Sequence, residues 1–189
     1  RVSAGCFYRL RQLRRVRRSL DTESVATLIH AFVTSRIDYC NIILAEAPKA
    51  ITDKLQRVLN AAARVVSGTR KFDRGLTRLL RDELHWLSVR ERVVFKLAVM
   101  VHQCLNGRAP SYLMNHCIPV SNVASRRHLR SASRHLLIVP RYRLSTYGRR
   151  AFSVVGPMVW NSLPDAIRDP AISADSFRRS LKTFLFARH

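Results

Sequence analysis

Residues 88–106, SVRERVVFKLAVMVHQCLN, constrain the fold more than any other stretch, because one apolar period runs through the segment and both ends carry boundary signals. Ser88 followed three residues later by Glu91 is a capping box: the serine oxygen accepts a first-turn N–H and the glutamate accepts the N–H of the cap. Apolar side chains recur at Val89, Val93, Leu97, Met100 or Val101, and Cys104, the spacing of one helical face, and Gly107 with Pro110 beyond it marks the stop. A helix with one buried side is predicted, about 28 Å long at 1.5 Å per residue, with Arg90, Arg92 and Lys96 on its polar side.

The rest of the chain reads as further helices. Residues 1–20 place Cys6, Leu10, Leu13, Val16 and Leu20 on one face and coat the remainder with Arg9, Arg11, Arg14, Arg15 and Arg18. Asp21 or Thr22 caps a second helix to about residue 44, with Val25, Leu28, Ile29, Phe32 and Ile37 inward and Pro48 beyond its end. A third is predicted over 51–67, burying Ile51, Leu55, Val58, Leu59, Ala62 and Val66 and stopping at Gly68. A short helix over 76–84 leads to Trp86, expected as a core plug at the head of the central helix.

Beyond Pro119 the chain turns polar and arginine-studded, with a β-like run at 136–139 suggesting a short hairpin. Residues 151–155 suit either the partner strand or a helical turn. Pro157 suits the first position of a short helix, and Ser173 or Asp175 the cap of a final amphipathic one. The fold class expected is mainly α: a helical bundle over 1–118, then a basic segment, 119–189, with a short hairpin and C-terminal helices.

Charge bounds the function. Lys+Arg 34 against Asp+Glu 12 gives 34 − 12 = +22, and no acid stands between Glu91 and Asp165, an interval with eleven Lys or Arg. A surface so one-signed repels itself unless a polyanion neutralises it. The four cysteines lack zinc-finger spacing and read as reduced, buried thiols of an intracellular protein. His102, Cys104, His116 and Cys117 match no zinc pattern, and no apolar run reaches a membrane span.

Catalytic signatures are missing. There is no Asp-Asp pair or DxD to hold divalent ions, and no GxxxxGK[ST], GxGxxG or GxSxG. What remains is arginine beside aromatics. The guanidinium fork reads phosphate and a tyrosine ring stacks on a base, so the candidate nucleic-acid-binding residues are Arg11, Arg14, Arg15, Arg18, Arg126, Arg127, Arg130, Arg141, Tyr142, Arg143, Arg149 and Arg150.

Seven blocks in order carry a resemblance: CFYRLRQLRRVRRSL, HAFVTSRIDYCN, KLQRVLNAAARVVSG, ELHWLSVRERVVFK, GRAPSYL, VPRYRLSTYGRRAFSVVGPMVWNSLP and FRRSLKTFLF. Together they resemble the C-terminal region of non-LTR (LINE-type) retrotransposon reverse transcriptases of the jockey-like and chicken-repeat-like kinds. The resemblance implies the helical thumb and downstream segment of an RNA-directed DNA polymerase, gripping RNA template and DNA primer or target. Its implied partners are the palm and endonuclease of the same polyprotein, and its setting is nuclear and cytoplasmic. The family's magnesium-binding aspartates belong to the palm, so no residue here inherits a catalytic role, and the chain by itself is expected to be inactive. The first methionine is Met100, which fits a piece of a longer protein. The alternative is a free-standing basic RNA-binding or ribosome-associated protein.

Overall fold

The protein is described by a computed structural model covering residues 2–70, 72–123, 134–144 and 148–188. It is mainly helical, and no strand occurs among the described residues. Among the described residues nine α-helical segments follow in order: α1 Val2–Val16, α2 Thr22–Ile29, α3 Ser35–Asp38, α4 Lys49–Ser67, α5 Leu76–Arg78, α6 Val89–Leu105, α7 Ser111–Met114, α8 Phe152–Asn161 and α9 Ala174–Ala187. Two compact units result, residues 1–92 and 93–189, so the division falls inside α6, whereas the sequence reading set it at 118/119.

In the first unit α1 and α2 pack on α4. Cys6 and Leu10 of α1, Val25 and Ile29 of α2, and Val58, Leu59 and Ala62 of α4 form a common core that also takes in Trp86 and Val89. Asp21 caps α2, its carboxylate accepting the N–H groups of Glu23 and Ser24 at 3.0 and 3.1 Å. Hydrogen bonding with Ser24 holds this carboxyl below its usual range.

The helix expected to residue 44 runs on through a π-helical turn and ends at Asp38. A π-helical stretch, His30–Thr34, joins α2 to α3, and a 3-10 turn, Asn41–Leu44, follows. The wider i→i+5 turn brings Val25, Ile29, Val33 and Ile37 into one line, and Phe32, expected inside, is left 43% exposed. Val16 and Ile51, also expected inside, lie at the surface. In place of Ile51 the first turn of α4 buries Thr52, whose hydroxyl donates to Lys49 O at 3.0 Å and so enters the core satisfied.

The central helix has its expected ends. Ser88 N–H donates to Glu91 Oε2 at 2.6 Å and Glu91 N–H donates to Ser88 Oγ at 3.3 Å. Gly107, at φ 67, enters the left-handed region, and Arg108 N–H reaches back to Gln103 O at 2.9 Å, which closes a Schellman cap. Arg92 departs from the reading. It is not on a free polar side but donates to Asp38 Oδ2 at 2.7 Å and to Leu87 O at 2.9 Å.

The second unit is built around the buried Trp160, Phe177, Leu181 and Leu185. Ser173 is the cap of α9. Residues 151–155 prove helical, and α8 starts at Phe152 with Pro157 inside it rather than at its first position. Burial of Val154 and Val155 favours that upstream turn, and Gly156 allows close packing, since a Cβ there would lie 3.3 Å from Val101 Cγ2. The expected hairpin is not formed among the described residues. The β-like run pairs instead with 118–120: Val120 N–H donates to Leu136 O at 2.8 Å and Ile138 N–H to Ile118 O at 2.9 Å. On the other side the Asn161 amide both accepts from Leu137 N–H and donates to Leu137 O, each at 2.8 Å, as a neighbouring strand would.

Candidate nucleic-acid interface

Along α1 and the 3-10 turn Arg17–Ser19 that continues it, Phe7, Arg11, Arg14 and Arg18 recur at helical spacing beside the apolar stripe, and along α4 Arg57, Ala61 and Arg64 do the same. Packing α1 on α4 turns these two surface stripes into the walls of one groove. Two adjoining clefts open along it. One, of about 580 Å³, is lined by Arg14, Arg17, Arg18, Arg64, Arg70 and the Gly68–Thr69 turn, with Val65 beneath. The other, of about 410 Å³, is lined by Phe7, Leu10, Arg11, Arg14, Arg57, Ala61 and Arg64.

No acidic side chain lines either cleft among the described residues. Guanidinium groups keep their charge over the whole working pH range, so the repulsion here is not relieved from within the groove. Arg17 supports the site differently from its neighbours. Its Nε donates to Val65 O and its Nη2 to Val66 O, both at 3.0 Å, and Nη1 reaches Leu20 O at 2.9 Å. The Val65 and Val66 carbonyls are orphans of the last turn of α4, and their partial negative charge would repel an anion. Arg17 covers them. Gly68, at φ 73, turns the chain away in the left-handed region, which leaves the cleft mouth without a side chain at that point.

Of the residues predicted from sequence, Arg11, Arg14 and Arg18 line the groove, while Arg15 is exposed on α1 and lines neither cleft. Arg126, Arg127 and Arg130 lie outside the described residues. Arg141, Tyr142 and Arg143 are exposed in the second unit, where Gly148 packs so closely on Tyr142 that a Cβ would come within 3.1 Å of the tyrosine Cβ. Arg149 and Arg150 are half-buried in the turn Gly148–Arg150 ahead of α8. Sequence reading missed Arg57 and Arg64. Their seven-residue spacing, with Ala61 between, was the available signal, but it has meaning only once α4 is known to face α1.

The remaining chemistry is structural. Cys104 and Cys117 are buried, and burial pushes the Cys117 thiol up to about 12, which keeps it from acting as a nucleophile. Cys40, read from sequence as buried, is exposed, in the turn at φ 52 that follows α3. Among the described residues no group of three His, Cys, Asp or Glu is placed to hold a metal, and no helix is long and apolar enough to cross a membrane.

No protein-family model matches the chain, and neither a curated protein nor a solved structure is detectably similar to it.

Proposed function

We propose that this chain grips nucleic acid, and that it does so as the C-terminal, thumb-like portion of a retrotransposon RNA-directed DNA polymerase, holding template RNA and primer in the nucleus and cytoplasm of its host cell. The observation that carries the grip is the acid-free arginine groove between α1 and α4. The assignment to a reverse transcriptase rests on the seven sequence blocks, and no catalytic step is placed on these residues.

Salt dependence tests it. If about six phosphates are neutralised, log K against log salt for single-stranded RNA should slope at about −4 to −5, from 0.7 per phosphate. Replacing Arg11, Arg14, Arg57 and Arg64 with Gln should weaken binding by more than about tenfold and make the slope shallower by about two units. A slope near zero for the parent chain would refute the reading.

A further inference from the structure

The two clefts share Arg14 and Arg64 but differ in chemistry. The 580 Å³ cleft offers guanidinium donors and the Gly68–Thr69 turn, and no aromatic ring. The 410 Å³ cleft, two turns earlier on both helices, combines the apolar side chains of Leu10 and Ala61 with the ring of Phe7. Phosphate requires charge and donors, whereas an unpaired base requires an apolar surface and a flat π-face. Among the described residues Phe7 stands outside the core cluster of its unit, and it is 42% exposed.

We infer that the α1–α4 groove is a site for single-stranded nucleic acid, in which one unpaired base stacks on Phe7 in the smaller cleft and the adjoining phosphates lie in the larger. The inference rests on the nucleic-acid reading above and adds a strand state and a base subsite to it. A duplex keeps its bases stacked inside and presents phosphates outward, so it engages the larger cleft alone. An acidic peptide satisfies the arginines but leaves the Phe7 ring unused.

The test compares four probes on the full chain at one salt concentration: a single-stranded RNA, the same strand in duplex, an abasic strand of equal length and a polyglutamate peptide. The base-bearing strand should bind at least about fivefold more tightly than the abasic strand, the value of one stacked base. Phe7→Leu should bring the two strands level, Phe7→Trp should restore the difference, and Arg14→Gln with Arg64→Gln should weaken both strands alike. Equal binding of base-bearing and abasic strands by the parent chain overturns the base subsite and leaves the nucleic-acid reading standing. That comparison needs no variant, so it decides the matter even if a substitution disturbs folding. Polyglutamate binding as well as RNA, or no RNA binding at all, overturns both.

Discussion

His102 is a residue whose environment converts directly into a measurable property. It is 3% exposed, its ring is stacked on Phe177 at 4.3 Å between centroids, and its Nε2 lies 3.1 Å from Ile172 O. The carbonyl only accepts, so Nε2 carries the hydrogen. Burial is the main cause of a pKa below the usual histidine value; the Ile172 carbonyl opposes it, and Arg108 and Arg178 add to it. The sign of the pH effect follows. Below 6.5 the unfolded chain takes up a proton that the folded ring refuses, so the unfolded state binds more protons and stability falls as pH falls. Urea midpoints should be level above neutrality and decline from about pH 6.5 downward until the depressed folded pKa is passed. His102→Gln, which keeps an N–H for Ile172 O, should flatten that decline, and an equally steep profile in the variant would show that another group is responsible. The spacing of His102 in α6 says only that it shares a helix with Cys104; the ring and the carbonyl it meets lie about 70 residues on, beyond the reach of any local signal.

Helix ends are the elements best determined locally, and Arg17 marks the exception. Ser88 with Glu91, and Gly68 and Gly107 in the left-handed region, act within their own turns, which is why they are legible in sequence. The Val65 and Val66 carbonyls at the end of α4 are satisfied from another helix turn, 48 and 49 residues away in sequence, by the Nε and Nη2 of Arg17. Arg17→Ala should therefore cost about 1–3 kcal/mol, the penalty of leaving part-buried acceptors without donors. Urea unfolding at high salt is the suitable measurement, since screening removes the compensating gain from one fewer positive charge. A loss under about 0.5 kcal/mol would mean that water satisfies those carbonyls equally well. The π-helical turn at His30–Thr34 follows the same logic in reverse: nothing in HAFVT requires it, and it exists because the wider turn keeps Ile29, Val33 and Ile37 on the core.

For the molecule as a whole the strongest influence on stability beyond its core is a net charge of +22 on 189 residues. Ion pairs between acids and arginines are formed among the described residues, and those of Arg78, Arg134 and Arg178 are exposed enough to contribute little. Self-repulsion consequently opposes compaction, and salt, whose screening length shortens from about 30 Å at 0.01 M to about 3 Å at 1 M, relieves it. The melting temperature should rise with ionic strength, by about 2–4 °C for each kcal/mol of repulsion removed, and a flat or falling trend in calorimetry would show that the excess charge is already neutralised within the fold. By itself the sequence determined the helical class, the limits of α6, the stop of α4 and the excess of positive charge, because period, caps and composition act over a few residues or over none in particular. Tertiary structure alone decided that Arg57 and Arg64 face Arg11 and Arg14 across a groove, that Arg92 is spent on Asp38, and that Asn161 rather than a hairpin strand holds Leu137. Each of these depends on which two distant faces are buried together, a choice made by the packing of whole helices and not written into any one of them.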